Sequence, residues 1–522
     1  MRVAAIDIGT NSVHLVVADV AKDGRVTLVH RARDQAELGR GGTLGENRLT
    51  REAMERGVQA LVGFRQSCDV LGVESIACAA TSAVREAQNG SEFCKRVQEA
   101  TGIHVRVITG HEEARLVWLG LRQHLDPERG PALVVDIGGG SVEVILCDAT
   151  RLFSAHSVPL GHIRLSEAVP QPDPPTVESQ QALRKMVRKE LEVVVRDIRP
   201  GVGTMWGTSG SIRALARMAM LADGKPAPQS DHGLVLPRTA LKALLQKFTT
   251  LKSARLGELP GMDSRRRATL PVACAVLYQV MKSLGADHLI TSDDGLREGL
   301  LQDWIERNRP ELLLDQPELT PRMRSVEHLR QRYDGDRTHS SHVRDLALSL
   351  FDGLIGLHGL DRESRALLEQ GALLHDIGHH VDAHDHEKHG QYLILHTRMA
   401  GFTAPDLAVL ADIVRYHRGG RPKASHRHFQ SLSRADQRRV ELLSAILQLA
   451  DALDRSHQQP VRAVDVTTGT DGVHVAARCD GEAFLERWAA QRRARGLAAA
   501  LSRPVSIELV RDGRPAGARE VE

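Results

Sequence analysis

The sequence predicts an α/β protein in its front half, built on a duplicated strand–loop–strand unit, then an all-α region and a small α+β end. Three observations predict this. First, Asp7-Ile8-Gly9-Thr10-Asn11-Ser12 and Asp136-Ile137-Gly138-Gly139-Gly140-Ser141 superpose at an offset of 136 − 7 = 129 residues, with Asp, Ile, Gly and Ser matching. Each stretch lies between two apolar runs of strand length, and a further aspartate closes each unit (Asp19 and Asp148). Second, strand patterns alternate with helical ones beyond each loop, the order expected of an α/β domain. Third, 13 of the 25 histidines fall between His339 and His428, which marks a separate domain with its own chemistry.

At 522 residues the chain exceeds a single hydrophobic core and should form several domains. Its 42% hydrophobic and 26% charged residues are those of a folded soluble protein. No apolar run approaches the roughly 18 residues that span a membrane. Met1-Arg2 leads into a strand without a signal-peptide pattern, so a cytoplasmic setting is expected. Cys68, Cys78, Cys94, Cys147, Cys274 and Cys479 lack C-x-x-C spacing and read as reduced core residues. The formal charge of +3 argues neither for nor against a polyanionic partner, and no nucleic acid or membrane partner is expected.

Taken in order, Val3 to Ile6 and Val13 to Asp19 are strands, and Asp23-Gly24 is a hairpin turn before Arg25 to Val29. Glu37 to Gly42 is too glycine-rich for a regular element. Thr50 is the N-cap of a helix that places Met54, Val58, Leu61 and Val62 on one face. Val73 to Ala79 is a strand ending in a hydroxyl-rich turn, Ala80-Thr81-Ser82, that enters a helix carrying Arg85. Val105 to Ile108 is a strand, and Thr109-Gly110-His111-Glu112-Glu113 opens another helix. The second unit begins at Pro131, with Arg151 to Ser157 as its third strand. Gly161 opens a helical region, Met205 to Ser211 reads as a small-residue loop entering a helix, and Leu289 to Asp294 is a last strand. Prolines between Asn308 and Pro321 mark a domain boundary. Val343, Leu346, Ala347, Leu350 and Phe351 then keep helical spacing, and Glu441 to Leu453 is apolar enough to be a central helix. Short alternating runs from Val461, around a helix near Ala483 to Ala500, give the α+β end. The predicted domains are residues 1–125, 126–308, 322–460 and 461–522.

A glycine-rich turn aligns successive backbone N–H groups into a nest for a phosphate. A carboxylate beside such a nest repels phosphate unless a cation lies between them, so Asp7, Asp136 and Glu143 point to Mg²⁺. Two nests from a duplicated unit form facing walls of one cleft. Gly9, Thr10, Asn11, Ser12, Gly138, Gly139, Gly140 and Ser141 line those walls. Asp7, Arg85 and Ser209 complete the candidate substrate-binding set. Glu112 and Glu113 suit a helix N-terminus in any case; at a cleft rim, one of them can serve as general base for water.

The ordered motifs D-I-G-T-N-S, A-T-S-A-V-R-E-A, G-H-E-E-A-R-L, D-I-G-G-G-S-V-E and G-T-S-G-S-I-R-A-L-A resemble the exopolyphosphatase and guanosine pentaphosphate phosphatase family. R-R-R-A-T-L-P at Arg265 to Pro271 and S-D-D-G-L-R-E-G-L at Ser292 to Leu300 extend the likeness over roughly residues 1–305. The resemblance implies two ribonuclease-H-like (actin-like) domains flanking a cleft. It also implies Mg²⁺-dependent removal of a terminal phosphoryl group from inorganic polyphosphate or guanosine pentaphosphate, and a homodimer. By the same resemblance Glu113 is the base, while Asp136 and Glu143 are the catalytic residues that handle Mg²⁺ and the attacking water. Thr109 stands where a serine is usual, and His111 fills the variable position.

In the histidine-rich stretch, His375-Asp376 follows His339 by 36 residues and precedes Asp451 by 75. Imidazoles and carboxylates gathered from several helices can hold a divalent metal. The spacing resembles the HD phosphohydrolase superfamily. That likeness implies His339, His375, Asp376 and Asp451 as ligands, with His386, His389 and His417 in stretches that hold a second metal in some members. His379, His380, His384, His426 and His428 are expected to be solvated. Three alternatives stand beside the hydrolase reading. A sugar or acetate kinase needs a substrate-binding carboxylate that is not identifiable. A non-catalytic polyphosphate or alarmone sensor gains nothing from carboxylates facing phosphate. A protein whose main activity lies in the HD-like domain is the third.

Overall fold

The computed structural model describes residues 1–21, 26–41, 47–127, 130–198, 201, 203–228, 230–309, 320–397, 399–423, 425–511 and 514–515. The Asp23-Gly24 turn, Gly42 and residues 310–319 of the predicted boundary lie outside the described residues. The chain divides into two compact units, Met1–Thr320 and Pro321–Glu522.

The first unit holds two sheets of matching topology. The strands of the first are β1 (Arg2–Ile8), β2 (Val13–Val20), β3 (Val26–Asp34), β4 (Ser75–Ala80) and β5 (Arg106–Val107), in the order β3-β2-β1-β4-β5. The second contains β6 (Ala132–Ile137), β7 (Val142–Cys147), β8 (Leu152–Val158), β9 (Met205–Thr208), β10 (Val235–Pro237) and β11 (His288–Thr291), in the order β8-β7-β6-β9-β11-β10. In both, the aspartate-bearing strand pairs antiparallel with the strand after its loop and parallel with the strand on its other side. Both central strands are almost wholly buried, which is why they read as continuous apolar runs.

The helices of this unit are α1 (Arg51–Val70), α2 (Ser82–Glu86), α3 (Gly90–Thr101), α4 (Gly110–Leu121), α5 (His162–Ala168), α6 (Val177–Asp197), α7 (Gly210–Ala222), α8 (Arg238–Thr250), α9 (Leu270–Ser283) and α10 (Leu296–Asn308). As expected, Thr50 caps α1, its hydroxyl accepting from Ala53 N at 3.1 Å. The Met205–Thr208 segment corrects the loop expected there: it is a buried strand. Its glycine reflects close packing rather than a turn, since a Cβ on Gly207 would stand 2.7 Å from Leu289.

One apolar core runs through both sheets and includes Val3, Val16, Leu116, Val117, Val134, Ile145, Leu296 and Leu300. Helices α4 and α10 cross inside it with their backbones almost touching. A Cβ on Gly120 would lie 2.2 Å from Gly295 O, and one on Gly299 would lie 1.7 Å from Leu116 O.

In the second unit, α11 (Pro321–Tyr333), α12 (Arg337–Gly353), α13 (Ile355–His358), α14 (Arg362–Leu374), α15 (His386–His396), α16 (Ala404–Tyr416), α17 (Arg427–Gln430) and α18 (Arg434–Ala452) precede a mixed sheet. The sheet runs β12 (Val461–Thr468), β13 (Val473–Cys479), β14 (Val505–Arg511) and β15 (Arg514–Pro515), with α19 (Phe484–Leu501) between β13 and β14. Every residue from Leu442 to Ala452 is buried, so α18 is the central helix and carries Asp451 inward. Helices and sheet share one hydrophobic core. Among the described residues no helix is long and apolar enough to cross a membrane. All six cysteines are free, and five are buried.

The α4–α10 crossing yields a prediction. Gly299→Ala should cost about 1–3 kcal/mol in urea unfolding, because its methyl overpacks a backbone carbonyl. Gly63→Ala, on α1 with nothing within 4 Å of the new methyl, should instead stabilise by about 0.5–1 kcal/mol.

Candidate functional site

The two loops occupy equivalent places and close the same way. Gly9 N donates to Ser12 O at 3.1 Å, and Gly138 N to Ser141 O at 3.0 Å. Strand register sets Asp7 opposite His14 and Asp136 opposite Glu143, so the sequence repeat is also a structural one, with one exchanged partner. The neighbouring parallel strands bring hydroxyl-bearing turns alongside: Thr81-Ser82 follows β4, and Thr208, in register with Asp136, precedes Ser209. Ser209 has φ +79° and caps α7, its hydroxyl accepting from Ile212 N at 3.4 Å. A left-handed serine is strained by roughly 1–3 kcal/mol, and such strain concentrates at functional turns.

The loops face each other across a cleft. A Cβ on Gly139 would stand 3.0 Å from Thr10 Cβ, and one on Gly140 would stand 2.3 Å from Ser82 Oγ and 2.8 Å from Thr10 Oγ1. The second loop is fixed from behind: His162 N donates to Gly138 O, and Ile163 N and Arg164 N to Gly139 O. Arg164 Nε donates to Gly140 O at 3.0 Å while its Nη2 pairs with Glu86, strapping the second half to the first. Asn11 O accepts from Glu37 N, and Ser12 Oγ accepts from both Arg33 Nε and Nη2 at 3.1 and 2.9 Å.

Four carboxylates converge on this cleft. Glu113 Oε2 accepts from Arg85 Nη1 at 2.8 Å, and Glu143 Oε1 accepts from Ser157 Oγ at 2.8 Å. Gly110, at the start of the helix that carries Glu113, lies so close to Ser157 that a Cβ would meet its Cβ at 2.5 Å. Asp7 Oδ1 and Asp136 Oδ1 are buried without a hydrogen-bond partner among the described residues. Burial, then the nearby Glu113 carboxylate, pushes Asp7 up to about 8. Burial raises Glu113 to about 7 against the pull of Arg85. Burial, reinforced by Glu113 and Asp136, holds Glu143 well above the usual carboxylate range, and burial raises Asp136. Four buried carboxylates, of which Glu113 and Asp136 raise their neighbours, with two oxygens without partners among the described residues, are a donor set that a cation can complete. This chemistry fits Mg²⁺, which takes one or two carboxylates plus waters and phosphate oxygens.

The rest of the expected set is sorted by the same geometry. Glu112 turns outward to Arg115 Nε at 2.7 Å, so the helix-start role belongs to it and the cleft role to Glu113. Arg85 lies in the last turn of a five-residue helix rather than at its start. Sequence reasoning missed Ser157, the Arg164–Glu86 strap, and the gathering of Arg33, Arg213 and Arg297 around His14; Arg266, the fourth of that cluster, lies in the R-R-R-A-T-L-P motif. Burial, then Arg297, Arg33, Arg213 and Arg266, lowers His14 to about 3, so His14 is neutral among four cations. Alternation along Arg31-Ala32-Arg33 was the one local signal for Arg33. Arg213 and Arg297 sit inside quoted motifs but act at a distance no pattern records.

A second centre lies in the helical unit. His339 Nε2 is 3.3 Å from His375 Nε2 and 3.5 Å from Asp451 Oδ1, and His375 Nε2 is 3.5 Å from Asp376 Oδ2. The other oxygen, Asp376 Oδ1, is 3.4 Å from His386 Nε2 and 3.5 Å from His417 Nε2, which are 3.2 Å from each other. His379 Nε2, expected to be solvated, is 3.6 Å from the same oxygen although its side chain is 46% exposed; His389 is not in the cluster. The Nδ1 atoms of His339, His375, His386 and His417 meet Asp454 Oδ2, Ala372 O, Ala383 O and Val414 O respectively, at 2.7–3.1 Å. At His339, His375 and His417 those contacts favour the tautomer that turns the Nε2 lone pair inward, as in metal-ligating histidines, while His386 Nδ1 also lies 3.2 Å from Arg418 Nη1. Ligands about 2.1 Å from a tetrahedral ion stand about 3.4 Å apart, and the Nε2 separations match that.

The sequence matches the Ppx/GppA phosphatase family over residues 16–308 and Ppx/GppA phosphatase domain III over residues 322–488. It is 27% identical over 459 residues to a guanosine-5'-triphosphate,3'-diphosphate pyrophosphatase of Photobacterium profundum, covering 88% of each chain. Among solved structures, the Aquifex aeolicus Ppx/GppA family member is similar at 30% identity and TM-score 0.51, over 59% of this chain and 99% of that one. An exopolyphosphatase from Cytophaga hutchinsonii is similar at 27% identity and TM-score 0.55, over 59% and 98%.

The facing loops yield a prediction. Gly140→Ala drives a methyl into Ser82 and Thr10, so phosphate release should fall at least about tenfold, equivalent to about 1.4 kcal/mol. Adding Ser82→Gly removes the nearer clash and should restore part of the loss.

Proposed function

Because the chain belongs to the Ppx/GppA phosphatase family, we propose that the cleft of its first unit hydrolyses the terminal phosphoanhydride of inorganic polyphosphate and releases orthophosphate. The observation that carries this is the buried carboxylate set facing two glycine loops, with Asp7 Oδ1 and Asp136 Oδ1 lacking partners. Glu113, held by Arg85 at 2.8 Å, orients a water molecule and takes its proton. Ser157 fixes Glu143 beside it. The glycine loops hold the terminal phosphoryl group, and Arg33, Arg213, Arg266 and Arg297 supply positive charge for the anion behind it. Asp136, Glu143 and Asp7 are the residues that would hold Mg²⁺, which when bound offsets their charge and that of the phosphate oxygens.

Guanosine pentaphosphate is the second reading, favoured by the name of the relative that aligns over 88% of this chain. Both substrates present the same terminal group to the same loops, so side-by-side rates on long-chain polyphosphate and guanosine pentaphosphate decide between them. We further propose that His339, His375, Asp376 and Asp451 bind one divalent transition metal in an HD-like domain. A second ion is held by Asp376, His386 and His417.

Glu113→Gln should reduce phosphate release from polyphosphate by about 10²-fold or more without loss of fold. Wild-type turnover in the folded variant would refute the assignment. A general base acts ionised, so wild-type turnover should decline as pH falls through about 7. Arg85→Gln removes the charge that lowers Glu113, so its acidic limb should move to higher pH. For the second centre, elemental analysis of the purified full chain should find up to two transition-metal ions. The count should fall in His375→Ala and stay unchanged in His389→Ala.

A further inference from the structure

A groove between α6, α8 and α9 encloses a cavity of about 350 Å³. The spacing of α6 explains one wall: Leu183, Val187, Leu191 and Val194 are buried as a stripe. Arg184 and Arg188, four residues apart, flank that stripe on one side and reach the groove. Lys242 of α8 and Lys282 of α9 reach it from the opposite walls. No aspartate or glutamate is among the lining residues, and none of the four cations has a salt-bridge partner among the described residues. Arg184 Nη2 has only Gln180 Oε1, at 3.5 Å.

Elsewhere on the unit's helices some basic residues are matched, Arg51 with Glu55, Arg65 with Asp69 and Arg96 with Glu92, while Lys185, Lys189 and Lys247 have no salt-bridge partner among the described residues; the groove is set apart by gathering four cations around one concavity with no acid in its lining. Four like charges around one concavity repel one another and raise its affinity for a polyanion. The floor, however, is apolar, formed by Leu183, Leu245, Phe248 and Val272, with the Tyr278 ring beside it. Of the amides that line the same space, Gln171 is bonded to Val169 O and Ser179 Oγ and Gln180 to Pro175 O, while Gln246, whose side chain has no partner among the described residues, can both donate and accept hydrogen bonds. An inorganic phosphate chain uses the cations but leaves this floor wet. A base-bearing anion uses all three features: ring on the apolar floor and Tyr278, base edge on the Gln246 amide, phosphates on the arginines and lysines. The volume lies in the range of small-molecule pockets.

We propose that this groove binds a mononucleotide carrying two or more phosphates, at a place separate from the catalytic cleft. The test is equilibrium titration of the full-length protein, with EDTA present to silence hydrolysis. The probes are the β,γ-imido analogues of ATP and GTP, and inorganic tripolyphosphate. At least one analogue should bind the wild type, and Lys242→Glu/Lys282→Glu should bind it at least tenfold more weakly. Turnover of tripolyphosphate with Mg²⁺ should be unchanged in that variant. Tyr278→Ala should weaken the nucleotide analogue and leave tripolyphosphate binding as it was. The proposal is overturned if neither analogue binds below millimolar concentration, or if the charge-reversed variant binds like wild type. It is also overturned if Tyr278→Ala affects tripolyphosphate and nucleotide equally. The loss of analogue binding in Lys242→Glu/Lys282→Glu reports on the groove and turnover on the cleft, so either reading can fail without the other.

Discussion

The first unit depends on keeping carboxylates out of water. Asp7, Glu113, Asp136 and Glu143 are held where burial raises each of them above its ordinary range, and where Glu113 and Asp136 raise their neighbours further. A buried carboxylate without compensation costs several kcal/mol. Only part of the compensation comes from the protein itself, through Arg85 on Glu113 and Ser157 on Glu143. The rest is left for a cation to supply. The fold therefore builds a site that is costly when empty and favours an occupant that brings positive charge.

Duplication is what makes such a site constructible. One strand–loop–strand unit places an aspartate at the end of a central strand and a glycine turn just beyond it, and its copy supplies the facing wall. The walls are then held in register by contacts that tolerate no additional atom: Gly139 and Gly140 against Thr10 and Ser82, and Gly120 and Gly299 at the α4–α10 crossing. Arg85 and Glu86 are consecutive on α2, one holding Glu113 and the other holding Arg164, which donates to Gly140 O of the opposite loop. A single short helix thus ties Glu113 to the second glycine loop. Asymmetry enters at one position, where His14 faces Asp7 and Glu143 faces Asp136. The first loop keeps a neutral ring among arginines, and the second keeps the acid.

Much of this was legible in the chain itself. The 129-residue repeat, the strand–glycine–strand pattern and the capped helices are local features, and the structure forms them at nearly the expected residues. Met205 to Thr208 misled because glycine and threonine look alike in a turn and in a tightly packed strand. What sequence could not provide were pairings set by topology. Arg164 with Glu86 spans 78 residues, and Ser157 with Glu143 joins adjacent strands only through their register. The histidine cluster was half legible: His375-Asp376 is a local motif, whereas His379 joins Asp376 only because a turn of helix brings it round. The two oxygens of Asp376 serve two separate groups of imidazoles, a division that no spacing encodes.

The central claim is that water, activated in the cleft of the first unit, attacks the terminal phosphorus. The most direct measurement is a reaction on polyphosphate in ¹⁸O-enriched water, followed by mass analysis of both products under single-turnover conditions. The account predicts one ¹⁸O atom in the released orthophosphate and none in the shortened chain. Label in the shortened chain, or orthophosphate without label, would contradict it.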